Sequence, residues 1–459
     1  MAPLATLVLG AGKSGIAVMQ FLAKSAAVYL YDDNWTDNKR EQIKPPEKSQ
    51  RVKIFNQKDL AEWQRGKRPP FEQVCVSPGV PPNHPVIKQA RKHKMLLTSE
   101  TEFALRNIDK PIIAITGTNG KTTTTMITGH LLKSANRRVF IGGNIGTPLI
   151  QAVSEANEIV VAELSSFQID ITKSRKVNVA AITNISANHL DRYGSMRSYL
   201  NSKVRLILDL LVPGGSVVLN ADDVHLVGWY LKNKKLLLRR RNHVFWFSGK
   251  GKLKSNMTGL FLRGDCLMGQ GELSDFNLRH TSFTLIGKHN LENLMVAILT
   301  AKSLVPDILL DEVALASFVG APHRMELVAK IEDRQFVNDS KATTPASLEV
   351  SIDSVADHRG ILILGGREKG GSILYLKRKL SIKCKMIVLI GETKDRYQKL
   401  LEELSPVQAN DMEDAIAIAI MASEPADTIL LSPACASYDM FRDFEHRGEK
   451  FKREVNLYR

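Results

Sequence analysis

Cysteine is scarce in this chain: four in 459 residues, at Cys75, Cys266, Cys384 and Cys435. None stands at CxxC or metal-ligand spacing. That argues against a thiolate metal site and a disulfide framework, and points to reduced thiols in a cytosolic protein. No run approaches the ~20 apolar residues that a membrane span needs, so no membrane partner is expected. The opening residues, MAPLATLVLGAGKSG, carry no basic leader or cleavage signal and read as a first strand. There is no internal repeat and no low-complexity tract. Acidic residues are in deficit: 63 Lys plus Arg face 48 Asp plus Glu, a balance of +15. Such a balance favours anionic partners, whether nucleotides, phosphorylated metabolites or nucleic acid. Part of the excess lies in two patches, Lys232–Lys254 and Lys377–Lys385. RNA binding wants stacking aromatics among the basic residues. The aromatic run in the first patch, Phe245-Trp246-Phe247, reads as a strand, so solvated faces are expected and nucleic acid is not.

What is present is ordinary globular composition, and the length suggests about three domains at roughly 100–200 residues each. Leu4–Leu9 reads as a buried strand. Gly10-Ala11-Gly12-Lys13-Ser14-Gly15 follows, then a helical pattern, then the strand VYLYD ending at Asp32. This is a βαβ unit with G-x-G-x-x-G at its first turn and an acid about 20 residues on, the dinucleotide fingerprint. The domain is short, so a mononucleotide-type ligand fits it as well as NAD does.

A second βαβ opens with the strand Pro111–Thr116. Its turn is Gly117-Thr118-Asn119-Gly120-Lys121-Thr122-Thr123, a shortened phosphate loop with Ile115 where the full pattern has its first Gly. Backbone N–H groups at a helix N-terminus make an anion site. Lys121 adds a point charge for the β/γ-phosphates, and Thr122 a hydroxyl for Mg²⁺. Strands are expected at 138–141, 159–164 and 179–185, and helix at 289–304. Glu163 falls at the end of the second of these strands, facing the crevice where α/β proteins bind ligands, and suits Mg²⁺. His189 sits just past the third. A third α/β segment begins near 321, with strands at 334–337, 360–364, 386–390 and 428–431. The fold class expected is α/β in three domains. These are a Rossmann-like N-terminal domain (1–98), a central P-loop-type parallel sheet (99–320) and a C-terminal Rossmann-like domain (321–459).

TGTNGKTTT, ELSSFQ, NHLDRYGS, GKHNLEN, GAPHRME and VNDSKATT occur in the order found in the Mur ligases, and the chain resembles that family from residue 4 to 450. VNDSKAT, LGGREKGG and SPACASYDMFRDFEHRG are most similar to the branch that adds D-glutamate. The resemblance implies an ADP-forming ligase. ATP phosphorylates the carboxylate of UDP-N-acetylmuramoyl-L-alanine, and the amine of D-glutamate then attacks the acyl phosphate. Peptidoglycan precursor synthesis in the cytoplasm, by a monomer, is the setting implied. Another Mur-type ligase, or a folylpolyglutamate synthetase-like ligase with a different amino acid, is the alternative.

By the same resemblance, Lys121, Thr122, Glu163, His189 and Lys203 serve phosphates and two Mg²⁺ sites, with Lys203 carbamylated. Asn293, Arg324, Asp339 and Lys341 are nucleotide contacts. Ser14, Asp32, Asp33, Ser77, Gly79, Asn144 and Ser165 face the UDP-sugar, with pyrophosphate on the GAGKSG turn. Thr343, Lys369, Ser437 and Phe444 match the D-glutamate pocket. The chain departs from many relatives in having Asn188 for Asp beside the metal histidine, and in lacking an Arg in Asp33-Asn34-Trp35.

Overall fold

The computed structural model describes residues 4–34, 51–81, 83–188, 190–283, 285, 287–318, 320, 322–368 and 372–459. Three sheets follow one another along the chain. The first contains β1 (Thr6–Leu9), β2 (Val28–Tyr31), β3 (Val52–Ile54), β4 (Gln73–Val76) and β5 (Leu96–Thr98), in the order β3-β2-β1-β4-β5. Its neighbours are all parallel. Between strands lie α1 (Lys13–Leu22), α2 (Gln57–Gln64) and α3 (Pro85–Lys92), and α4 (Glu100–Asn107) follows β5. β1 is buried along its whole length, as a strand covered on both faces must be. Its alternation still separates two cores. Leu7 and Leu9 pack with Phe55, Trp63 and Phe71. Val8 turns the other way, into a cluster with Val18, Phe103, Ile150 and Val160.

The second sheet has nine strands, in the order β14-β13-β12-β11-β10-β9-β6-β8-β7. They are β6 (Ile112–Thr116), β7 (Val139–Gly143), β8 (Ile159–Glu163), β9 (Val177–Ile182), β10 (Leu211–Asn220), β11 (His243–Ser248), β12 (Thr258–Arg263), β13 (Cys266–Gln270) and β14 (Asn277–Arg279). Only the last two pairings, β12 with β13 and β13 with β14, are antiparallel. The helices used below are α5 (Lys121–Ser134), α6 (Ser166–Asp170), α7 (Met196–Arg205), α8 (Val224–Arg239) and α9 (Lys288–Leu304). β8 lies on one side of β6 and β9 on the other. The crevice at the carboxyl ends of these strands is thus a topological switch point, where open α/β sheets bind ligands.

The third sheet runs β15-β16-β20-β17-β18-β19: Glu326–Ile331, Arg334–Asn338, Thr428–Leu431, Gly360–Gly365, Cys384–Ile390 and Val407–Gln408. Only β15 is antiparallel to its neighbour. Leu362 and Leu364 face one core, Ile361 and Ile363 the other. Its helices include α10 (Pro345–Ile352), α11 (Lys377–Lys383), α12 (Lys394–Leu400), α13 (Met412–Ala422) and α14 (Phe444–Asn456).

The three sheets bear out the α/β class, and the expected strands lie within three residues of those observed. β1 starts at Thr6 and not Leu4, and β9 starts and ends earlier than expected, at Val177 and Ile182. Phe245–Phe247 is strand, as read from the sequence. The chain divides into two compact units, Met1–Arg279 with Glu292–Asp311, and His280–Leu291 with Glu312–Arg459. Among the described residues no helix is long and apolar enough to cross a membrane.

Candidate active site

The phosphate loop joins β6 to α5. Gly120 is the N-cap of α5 at φ +80, a left-handed conformation that costs glycine little. A Cβ there would also lie 2.2 Å from Asn293 Oδ1, so α9 backs directly onto the loop. The segment after β9 clasps the loop from the other side. Thr118 N–H donates to Asn184 O and Asn119 N–H to Asn184 Oδ1, each at 2.9 Å. Thr183 Oγ1 donates to Asn119 O at 2.6 Å, and Ser186 N–H to Thr118 Oγ1 at 3.0 Å. Lys121 Nζ folds over the loop onto Gly117 O at 3.0 Å and Thr118 O at 2.8 Å. Thr122 is buried and Thr123 half-buried on the first turn, where a helix has N–H donors it cannot satisfy itself. Asn293, expected as a nucleotide contact, is buried and accepts from Thr124 Oγ1 at 3.2 Å.

Glu163 ends β8 beside Ile115 of β6 and Gly143 of β7. Both its oxygens are engaged: Thr122 Oγ1 donates to Oε2 at 2.7 Å and Asn144 Nδ2 to Oε1 at 2.8 Å. A hydroxyl and a carboxylate this close suit Mg²⁺, which takes a few protein oxygens and leaves its other positions to phosphates and water. His189 lies outside the described residues. No group of three or more His, Cys, Asp or Glu that could hold a metal occurs among the described ones.

Lys203, on α7, is 2 % exposed. Burial, followed by the charge of Lys121, pulls its amine down to about 6, against the opposing pull of Glu163 and Asp170. It lies 4.8 Å over the Tyr199 ring, and the Tyr199 hydroxyl is hydrogen-bonded to the Thr118 side chain. Asp170 steadies α7: Ser202 Oγ donates to Oδ1 at 2.6 Å, Tyr193 OH to Oδ2 at 2.8 Å, and Arg205 Nη1 to its carbonyl at 2.7 Å.

A cavity of about 660 Å³ opens where the first and second sheets meet in one unit. Ser14, Asp32, Asp33, Ser77, Gly79 and Asn144 all line it. Ser165 does not. Its hydroxyl caps α6, accepting from Gln168 N–H at 3.3 Å, and Gln168 takes the place on the cavity wall. The GAGKSG turn is tight because a Cβ on Gly15 would stand 1.9 Å from Gly10 O. Asp32 Oδ2 accepts Ala11 N–H at 2.7 Å and Oδ1 accepts Asn34 N–H at 2.9 Å, so this carboxylate shapes the turn itself. Asp33 is held by Tyr31 OH at 3.1 Å and by His84 Nε2 at 2.9 Å. Tyr199 and His84 carried no sequence signal. Lys13, also on the wall, was in view within the turn motif.

In the second unit, Arg324 stands between His323 (φ +63) and Met325 (φ +45). Two strained non-glycine residues flanking one arginine are the kind of feature functional sites retain. Asp339 is buried and fully engaged by protein donors: Ser351 Oγ, Ser432 Oγ at 3.1 Å and Met325 N–H at 3.3 Å. Burial raises its carboxyl to about 6, against these donors and Arg324. Lys341 Nζ lies 4.9 Å over the Phe444 ring, whose other neighbour is His323. Thr343 N–H donates to Lys341 O at 2.9 Å. Ser437 is buried; Lys369 lies outside the described residues. Arg447, in view within SPACASYDMFRDFEHRG but given no role there, ties these segments together. It is fully buried and donates to Ser340 Oγ at 3.0 Å, Ser340 O at 2.8 Å and Cys435 O at 3.1 Å. Ser340 Oγ in turn donates to Phe444 O at 2.8 Å.

A phosphate loop braced by a magnesium-type carboxylate, beside a Rossmann-like cavity, defines a nucleotide-dependent α/β enzyme. Residues 5–98 match the Mur ligase MurD-like N-terminal domain, 115–301 the Mur ligase middle domain, and 323–435 the Mur ligase glutamate ligase domain. The chain belongs to the Mur ligase family. It is 35 % identical over 454 residues to a UDP-N-acetylmuramoylalanine–D-glutamate ligase of Geobacter metallireducens, covering 98 % of this chain and 96 % of that one. The identically named enzyme of Coxiella burnetii is 34 % identical, with 98 % of each covered. In fold, the chain resembles UDP-N-acetylmuramate-alanine ligase of Thermotoga maritima at TM-score 0.59 and 18 % identity, covering 99 % of this chain and 100 % of the other. It also resembles the MurF ligase of that organism in complex with ADP, at TM-score 0.55 and 17 % identity, covering 99 % and 95 %.

Proposed function

We propose that this chain is an ATP-dependent, ADP-forming ligase that adds D-glutamate to UDP-N-acetylmuramoyl-L-alanine in peptidoglycan precursor synthesis. The observation that carries the reading is Asn144. It lines the 660 Å³ cavity and donates to Glu163, which accepts from Thr122 of the phosphate loop. A carboxylate presented from the cavity therefore arrives beside the γ-phosphate of a nucleotide held on the loop. The relatives' shared name supplies the identity of the two substrates.

In this reading 1–98 binds the UDP-sugar, with pyrophosphate on the GAGKSG turn. Residues 99–320 bind ATP, and 321–459 bring D-glutamate and further nucleotide contacts. Lys121 leaves the loop carbonyls to neutralise the phosphates. Thr122, Glu163, His189 and a carbamylated Lys203 would hold Mg²⁺, which when bound supplies charge neutralisation at the phosphoryl group. Lys203 suits carbamylation because CO₂ adds only to a neutral amine, and burial, pulling this one down to about 6, favours that form. The substrate carboxylate attacks the γ-phosphorus and ADP departs. The D-glutamate amine then attacks the acyl carbon and phosphate leaves. Thr343, Lys369, Ser437 and Phe444 form the D-glutamate pocket; Arg324, Asp339 and Lys341 the nucleotide side. In this reading the enzyme works in the cytoplasm, the compartment that supplies ATP, and acts as a monomer.

The test is ADP release with UDP-N-acetylmuramoyl-L-alanine and a panel of amino acids. D-Glutamate is expected to support turnover, and Lys121→Ala to abolish it. Faster release with L-alanine or L-lysine would remove the substrate assignment, and full activity in Lys121→Ala would remove the loop from the mechanism.

A further inference from the structure

Neither the phosphate loop nor the cavity uses the basic run that begins at Lys232. Much of it lies on α8, sixteen residues capped by Asp223, whose Oδ1 accepts His225 and Leu226 N–H. From Val224 to Arg241 there is no acidic residue, while Lys232, Lys234, Lys235, Arg239, Arg240 and Arg241 are all present. The inner face of α8 packs into the core through Leu226, Trp229 and Leu237. Tyr230 meets Trp246 edge-on. The outer face shows Val224, Leu231 and Leu238 to solvent, at 77 %, 68 % and 63 % exposure.

These three are seven residues apart, so they fall on one ridge that drifts only ~20° per step. Lys234 flanks the ridge on one side, Lys235 and Arg239 on the other, as helical spacing requires. Lys232, Lys234, Lys235, Arg239 and Arg241 are exposed and form no ion pair among the described residues.

We propose that this face of α8 docks peripherally on an anionic lipid surface. The helix lies in the plane of the headgroups, with Val224, Leu231 and Leu238 inserted and the lysines against lipid phosphates. Nucleic acid would satisfy the cations but leave the leucines in water, and Trp229 and Tyr230, which could stack on bases, are turned into the core. A partner helix in a coiled coil wants apolar residues at two positions per heptad, and this ridge offers one. A lipid surface matches both halves of the pattern. The lack of a spanning segment, from which no membrane partner was expected, bears on integral insertion and not on this arrangement.

The test is flotation of the full chain with phosphatidylcholine vesicles, with and without phosphatidylglycerol. Binding is expected on the anionic vesicles only, weakening as salt is raised. Lys232→Gln/Lys234→Gln/Lys235→Gln should weaken it about a hundredfold, and Leu231→Ser/Leu238→Ser about tenfold or more. Ligase turnover should be unchanged in both. Equal retention on neutral vesicles, undiminished binding of the leucine variant, or displacement from vesicles by RNA at equal phosphate concentration would each overturn the proposal.

Discussion

Asp33 reaches the cavity wall with both carboxylate oxygens held from behind, by the Tyr31 hydroxyl and by His84. His84 is 5 % exposed and works at two ends. Its Nδ1 accepts Val86 N–H at 3.2 Å, capping α3, which leaves Nε2 to face Asp33. The two roles can be separated. Asn is a good N-cap but too short to reach Asp33, so His84→Asn should keep the helix and lose the orientation. Losing one hydrogen bond is worth about 1 kcal/mol. KM for the UDP-sugar is therefore expected to rise about fivefold, with kcat, KM for D-glutamate and the melting temperature nearly unchanged. A lower melting temperature with no change in any KM would reduce His84 to a helix cap. Asp32 was legible as the acid of the dinucleotide fingerprint, Lys121 and Thr122 from the phosphate-loop pattern and Glu163 from its strand end, while Asp33 came only with the family resemblance. Sequence reading could not give a role to His84, 51 residues away, nor to Arg447, because their partners are set by tertiary contacts and not by local spacing. Ser165 shows the opposite limit. Its motif was legible, but its hydroxyl is spent on its own helix.

Helix α4 connects the first two sheets through two carboxylates in its first turn. Glu102 takes four donors: Lys173 and Ser174 N–H at 2.8 and 3.0 Å, Ser174 Oγ at 2.8 Å and Arg106 Nε at 2.7 Å. Burial opposes its ionisation, but the donors win and its carboxyl stays below the ordinary range. Glu100 has fewer. Ile150 N–H donates to it at 2.6 Å and Thr101 Oγ1 at 3.4 Å, with Leu149 N–H nearby. Here burial wins and the carboxyl rises from 4.5 to about 7. The folded state therefore binds more protons than the unfolded state between pH 4.5 and 7. Over that window stability falls as pH rises, by up to about 3 kcal/mol once Glu100 is fully ionised. Glu100→Gln keeps an acceptor for Ile150 and cannot ionise. It should match the wild type at pH 4.5 and exceed it at pH 8, in urea unfolding followed by tryptophan fluorescence. An equal gain or loss at both pH values would show that Glu100 does not titrate in this window. None of this was visible in the sequence, where α4 was not distinguished. The strands were legible because both-face burial writes them as apolar runs, Ile112–Thr116 and Gly360–Leu364 among them. The run Lys232–Lys254 was read as a charge patch, because its exposed leucines stand out only when the inner face of α8 is known.

Trp63, Trp229 and Trp246 belong to the unit that contains the phosphate loop and the cavity, and the other unit has no tryptophan. Their fluorescence therefore reports unfolding of one unit, which matters because a chain of several domains need not unfold in one step. The succession of three sheets was legible from three successive α/β patterns. How much structure the first two sheets share was not, since the cluster joining Val8 to Val160 is assembled from residues far apart in sequence. If the cavity takes the UDP-sugar, that ligand stabilises the tryptophan-bearing unit by mass action, by about 2.7 kcal/mol at a hundred times its Kd. UDP-N-acetylmuramoyl-L-alanine alone should then raise the fluorescence-detected transition, and D-glutamate alone should leave it in place. Amide exchange should slow over residues 10–14, 77–81 and 143–148 with the first ligand and not with the second. Protection of 339–341 by the UDP-sugar without protection of 77–81 would place that substrate elsewhere. Asn144 would then no longer connect the acceptor to the phosphate donor, and the order of binding sites along the chain would have to be reassigned even if D-glutamate ligase turnover were intact.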